Sequence, residues 1–193
     1  MPEDALQRLL HGNQRYVTNK PTLDESAHRR IEVAEKQAPF ATILSCVDSR
    51  VPPELIFDQG LGDLFVIRTA GQVLDQAVLG SLEFGVARLH IPLLVVLGHE
   101  HCGAVKAAME VLERHSTAEA DIDYLVEALA PAVEIGVKAG GDTWDGAVRA
   151  QIGLLVEKLK HSPILDTAVK AGKLKIVGAW YNLETGLVEI TVE

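Results

Sequence analysis

Leu93-Leu94-Val95-Val96-Leu97, followed at once by Gly98-His99-Glu100-His101-Cys102-Gly103, decides how this chain folds. Five apolar residues in a row read as a strand covered on both faces, since a strand with one wet face alternates instead. Gly98 ends the run. A helix is expected to begin near Cys102, because Val105, Met109 and Leu112 recur at helical spacing. A buried strand that runs into a helix is half of a βαβ unit.

The same alternation extends in both directions. Residues 41–45 (ATILS) and 64–68 (LFVIR) are expected strands, and residues 74–89 form a helix carrying Ala77, Val78, Leu82 and Val86. Downstream, helical patterns cover residues 121–138 and 142–160, parted by Gly140-Gly141. Residues 173–180 form a fourth strand, and Glu184-Thr185-Gly186 turns the chain into an alternating strand over 187–192. The fold class that follows is α/β, a mostly parallel central sheet flanked by helices, with an antiparallel C-terminal edge strand. Residues 1–40 differ. Leu6, Leu9 and Leu10 mark one helix, whose end Gly12-Asn13 leaves open, and Asp24 is placed to cap a second over residues 25–36. That second helix is charged on most faces, so a partner subunit is one surface for it. The expected organisation is one domain, with residues 1–40 as a helical arm and 41–193 as the α/β core.

Composition narrows the function. The 193 residues carry 18 Lys and Arg against 27 Asp and Glu, a net charge of −9. An acidic chain without a basic run is poorly suited to nucleic acid or an anionic membrane. Its apolar runs fall short of a bilayer span, and residues 1–20 lack the pattern of a signal peptide, so the expected compartment is the cytoplasm. Two cysteines are too few for a disulfide framework and read as ligands, a nucleophile or core filler.

In doubly wound sheets, ligands bind beyond the C-terminal ends of the parallel strands. One such end carries Cys46-Val47-Asp48-Ser49-Arg50, and another carries the His99 to Cys102 turn. Cys46, Asp48 and Arg50 alternate, so an extended backbone would present them on one side. His99 and Cys102 are spaced to grip one ion, and two thiolates with an imidazole make a good zinc set. Cys102 at a helix start also gains from the positive end of the helix dipole, which favours the thiolate. A lone Cys at a strand end is ordinarily a small core residue, a lone His ordinarily structural, and the two cysteines could instead form a redox-active disulfide. Asp48 and Arg50 could be a plain surface ion pair. What favours a metal is both cysteines at strand exits, with a His three residues from one of them.

Ser45-Cys46-Val47-Asp48-Ser49-Arg50 together with Gly98-His99-Glu100-His101-Cys102-Gly103-Ala104-Val105 resembles the β-class carbonic anhydrases. The likeness includes Leu10-His11-Gly12-Asn13-Gln14-Arg15-Tyr16, Gln37-Ala38-Pro39, Gly62-Asp63-Leu64-Phe65-Val66-Ile67-Arg68, Gly80-Ser81-Leu82-Glu83-Phe84 and Gly178-Ala179-Trp180-Tyr181. The resemblance implies one Zn2+ per chain on Cys46, His99 and Cys102. Asp48 would be a fourth ligand that leaves the metal when Arg50 takes its carboxylate. It implies reversible hydration of carbon dioxide to bicarbonate by zinc-bound hydroxide, with Gln37, Phe65, Phe84 and Gly103 at the substrate pocket, and self-association as a dimer or dimer of dimers. Alternatives are a zinc hydrolase of a similar linear molecule such as carbon disulfide, and a non-catalytic redox or structural protein built on the cysteines.

Some positions depart from the family. Certain members form an inhibitory bicarbonate site from a Trp, an Arg and a Tyr. Arg68 and Tyr181 match two of these, but the Trp position holds Ile43. Thr69 and Gln72 stand where many members have Asn. His101 matches no ligand position, leaving it a surface role or, more sharply, proton shuttling.

Overall fold

The computed structural model describes all 193 residues. Its five-stranded sheet has the order β2-β1-β3-β4-β5, with β1 (Ala41–Cys46), β2 (Leu64–Thr69), β3 (Leu93–His99) and β4 (Lys175–Tyr181) parallel and β5 (Val188–Val192) antiparallel to β4. Both β1 and β3 are buried along their whole length, as continuous apolar runs in a sheet covered on both sides must be. The chain leaves β1 towards β2 on one side, then crosses back to β3 on the other. That reversal opens a crevice between the C-terminal ends of β1 and β3.

One face of the sheet packs a large core under α4 (Gln76–Leu89), α5 (Gly103–Glu113), α6 (Ile122–Ala139), α7 (Thr143–Lys160) and α8 (Pro163–Lys170). Alternate strand residues separate the faces: Leu44, Cys46, Leu94 and Val96 join this core, whereas Ile43, Val95, Leu97 and Tyr181 join a smaller one on the other face. The smaller core is closed by α1 (Pro2–Val17) and α3 (Pro53–Ile56). No helix is long and apolar enough to cross a membrane.

The arm corrects the sequence expectation in part. Helix α1 is docked on its own sheet through Ala5, Leu6 and Leu9. It also runs straight through Gly12-Asn13. A Cβ on Gly12 would lie 1.8 Å from the Phe57 carbonyl oxygen, so glycine permits the close approach of α1 to α3. Asn13 is buried and fully used. Its amide donates to the carbonyls of Ile56 and Gly186 at 3.1 and 2.8 Å, and its oxygen accepts from the Val188 N–H at 3.0 Å. Helix α2 is shorter than expected, Ala27–Glu32, and buries no residue. Ser26 caps it by accepting from the Arg29 N–H, because Asp24 is spent on the Ser26 N–H one turn earlier.

Two short helices, α3 and α8, were not foreseen; α8 follows a Ser162 cap with Pro163 in its first turn. Strand β4 starts two residues later than expected. Lys173 and Leu174 still donate to the Ala168 carbonyl at the end of α8. Asn13→Ala should strand three buried backbone groups and lower stability by about 2 kcal/mol, read as a lower urea midpoint; an unchanged midpoint would contradict the clamp described here.

Candidate metal centre

Cys46 ends β1, His99 ends β3, and Cys102 is the residue from which α5 starts. Strand order makes β1 and β3 neighbours, so residues 53 positions apart meet at one point in the crevice. All three are buried, and their donor atoms lie within 4.8 Å of one another. The two sulfurs are 3.9 Å apart and both cysteines are free. A disulfide needs about 2.0 Å. Two thiolates sharing a tetrahedral zinc, with Zn–S near 2.3 Å, stand about 3.8 Å apart.

His99 supplies the most telling atom. Its Nδ1 lies 2.7 Å from the Glu100 carbonyl oxygen, and a carbonyl only accepts, so Nδ1 carries the proton. Nε2 therefore presents a lone pair, buried and without any hydrogen-bond partner. A polar atom in that position is costly unless something binds it. A cation between it and the two sulfurs satisfies it, and the backbone carbonyl behind the ring fixes the tautomer as metal-bound histidines require. The three donors fit a divalent metal.

The thiols are prepared for the same charge. Cys46 is pushed well below the ordinary thiol range by the hydrogen bond from the Cys102 thiol. Burial opposes this, and the N–H groups of Gly71 and Asp48 assist it. Gly71 reaches that position in a tight turn at φ +62°. Cys102 is pushed up because it holds the proton beside the first thiolate, in a buried place. Without a cation one negative charge is favoured there and a second is not; a bound divalent ion would displace the remaining proton from Cys102.

Asp48 and Arg50 lie beside the cluster in a way the sequence did not foretell. The backbone does not stay extended as far as Arg50: Val47 still donates to the Thr69 carbonyl, and the chain then turns, closed by the Val51 N–H on the Asp48 carbonyl at 3.0 Å. The turn brings Arg50 back around Asp48. Nε and the backbone N–H of Arg50 donate to Oδ1 at 3.0 and 2.9 Å, and Nη2 donates to Oδ2 at 2.8 Å. These bonds, the guanidinium ones foremost, hold the Asp48 carboxyl down at about 2 against the effect of burial. Oδ2 is also 3.9 Å from the free Nε2 of His99. Two ligands of one tetrahedral zinc, a nitrogen and an oxygen, stand about 3.4 Å apart. Asp48 is thus held by Arg50 with Oδ2 close to the Cys46–His99–Cys102 cluster.

These features of the crevice accompany likenesses to known proteins. The model of the carbonic anhydrase family matches residues 41–188. The chain belongs to the β-carbonic anhydrase family. It is 40% identical over 191 residues to a carbonic anhydrase of Mycolicibacterium smegmatis, covering 98% of this chain and 93% of that protein. It is 41% identical over 187 residues to carbonic anhydrase 2 of Mycobacterium tuberculosis, covering 96% and 90%. Among solved structures, a Coccomyxa β-carbonic anhydrase in complex with acetazolamide superposes with a TM-score of 0.74 at 28% identity, over 84% of this chain and 76% of that one. The β-carbonic anhydrase CcaA gives 0.75 at 27% identity, over 97% and 92%.

The remaining expected positions are distributed unevenly in this carbonic anhydrase. Gly103, first residue of α5, adjoins Cys102 with open space beyond it, and Phe65 is half-buried on β2 beside Gly85 of α4. Gln37 and Phe84 stay on the surface, Phe84 at 50% exposure. Ile43 is fully buried in the smaller core with Tyr181, whose hydroxyl lies 3.3 Å from that of Tyr16. His101 is exposed at φ +51°, its ring 4.9 Å from that of Trp144, and is no member of the donor cluster.

Trp144 and Arg68 hold the cluster from behind. The indole Nε1 of Trp144 donates to the Cys102 carbonyl at 2.9 Å. Sequence offered no signal for Trp144, which reaches the site only because α7 begins against α5. In metal-free protein, carboxyl NMR should place Asp48 near 2, and Arg50→Gln should return it to the ordinary aspartate range. An unmoved midpoint would mean that Arg50 does not hold the carboxylate.

Proposed function

We propose that the chain hydrates carbon dioxide to bicarbonate with one zinc ion held by Cys46, His99 and Cys102, with Asp48 able to serve as a fourth donor. The observation that carries this reading is the buried, unpartnered Nε2 of His99 facing two sulfurs 3.9 Å apart. A redox role for the cysteines suits that separation less well than a shared metal. When bound, zinc supplies the Lewis acidity that makes water a nucleophile near neutral pH.

The chain's own residues do the rest. Arg50 keeps Asp48 ionised, and would hold it back from a bound metal, by a two-pronged grip that a lysine cannot reproduce. Asp48, with Oδ2 turned towards the cluster, accepts a hydrogen bond from the attacking water and orients it. Because its carboxyl lies at about 2, Asp48 stays an anion throughout the working range. Any rise of activity with pH therefore would not come from the protonation state of Asp48. Phe65, Phe84 and Gly103 would give a small linear apolar molecule its wall, with Gln37 as the polar member. Carbon disulfide has the same shape, and a side-by-side assay on it separates the two substrates.

A second copy of the chain completes this pocket in our reading, as a dimer or a dimer of dimers. Strand β2 lies at the sheet edge, half-buried on both faces, with Ile31 at 71% exposure on the unburied α2 nearby in the arm. Apolar edges of this kind call for a cover. The single unit of residues 1–193 would then act through residues 1–40 as its arm, in the cytoplasm, where two free thiols are kept reduced.

Purified protein should contain one zinc per chain and hydrate carbon dioxide in a stopped-flow assay, faster towards alkaline pH. Cys46→Ser should lose most of its metal, and Arg50→Lys should keep its metal while slowing roughly tenfold. A fully loaded Cys46→Ser protein would remove Cys46 from the ligand set, and a flat pH profile with a fast Arg50→Lys enzyme would remove the gate.

A further inference from the structure

Arg68 occupies an unusual position for a charged side chain. It leaves β2 in register with Ser45 of β1, is half-buried, and forms no ion pair. Its guanidinium is spent on two backbone carbonyls instead. Nε donates to Cys46 at 2.8 Å and Nη2 to Asp48 at 2.6 Å. One planar group thus brackets Val47 and fixes the backbone on both sides of it. Cys46 precedes the bracket as a metal donor, and Asp48 closes it as the movable carboxylate.

We infer that Arg68 is a positioning residue for the carboxylate exchange, holding the Asp48 backbone where the side chain falls into the grip of Arg50. The inference rests on the reading of Asp48 and Arg50 as a gate. Three constraints converge on the Asp48 peptide: its carbonyl accepts from Arg68 and from the Val51 N–H, while its carboxylate accepts from the Arg50 N–H. A charge-assisted bond to a carbonyl is stronger than a neutral one, so Arg68 contributes the firmest of the two holds on that oxygen. Without it the turn loosens, the grip of Arg50 loses its alignment, and the carboxylate is freer to close on the metal. The same geometry leaves those two donors of Arg68 unavailable to an anion on the Ile43 side of the sheet.

The test uses the full-length protein loaded with cobalt(II) and reads azide binding from its visible spectrum at one fixed pH, with no turnover involved. Azide needs the position that Asp48 would take, so its apparent Kd rises as the open fraction falls. Arg68→Lys keeps the charge but cannot span two carbonyls. It should bind one cobalt per chain and weaken azide on the order of tenfold. Added to Asp48→Ala, which has no carboxylate to close, it should leave azide affinity unchanged. An unchanged Kd in Arg68→Lys, or equal weakening in the Asp48→Ala background, would overturn the inference. Arg50→Lys separates the two levels. If it does not weaken azide, the gate reading itself fails. If it does while Arg68→Lys has no effect, only the role of Arg68 fails. Should Arg68→Lys not fold, Arg68→Gln is judged by the same outcomes.

Discussion

Everything at this centre follows from one lone pair in a dry place. Nε2 of His99 is buried with no hydrogen-bond partner because Nδ1 is committed to the Glu100 carbonyl, and the two atoms it faces are sulfurs that cannot both ionise unaided. Burial makes an imidazole lone pair and a thiolate expensive separately. A divalent cation among the three reverses the sign of the problem. The surroundings answer the same excess of negative charge with fixed donors: the N–H groups of Gly71 and Asp48 on Cys46, and those of Ala104 and Val105 on Cys102.

The sheet exists to hold that point still. Cys46 and His99 are last residues of adjacent parallel strands, both embedded in apolar neighbours on two faces, so neither can shift without disturbing a core. The Asp48 turn is held by side chains from β2 and from its own loop.

How much of this was readable depended on the range of the interaction. Strand identities and the antiparallel end came from local apolar pattern, and they survive with boundary shifts of one or two residues. The donor set was legible because residue types as distinctive as Cys46, His99 and Cys102 fall at strand exits, where α/β sheets place their sites. The alternation of Cys46, Asp48 and Arg50 was read with the wrong backbone. The chain turns at Asp48, and it is the turn, not a shared strand face, that brings Arg50 onto Asp48. Gly12-Asn13 resembled a helix end and is a packing device, since its reason lies in Phe57, Ile56 and Gly186, far off in sequence. Trp144 and the second use of Arg68 had no local signature at all. Gln37 and Phe84 lie on the surface of the single chain.

The central claim is that a single zinc sits among two sulfurs and one imidazole nitrogen of the same chain. X-ray absorption at the zinc edge of the purified protein tests it most directly. Two sulfur neighbours near 2.3 Å, one histidine nitrogen at about 2.0–2.1 Å and one further light atom are expected. A shell of nitrogen and oxygen alone, or a protein that retains no zinc after dialysis, would contradict it.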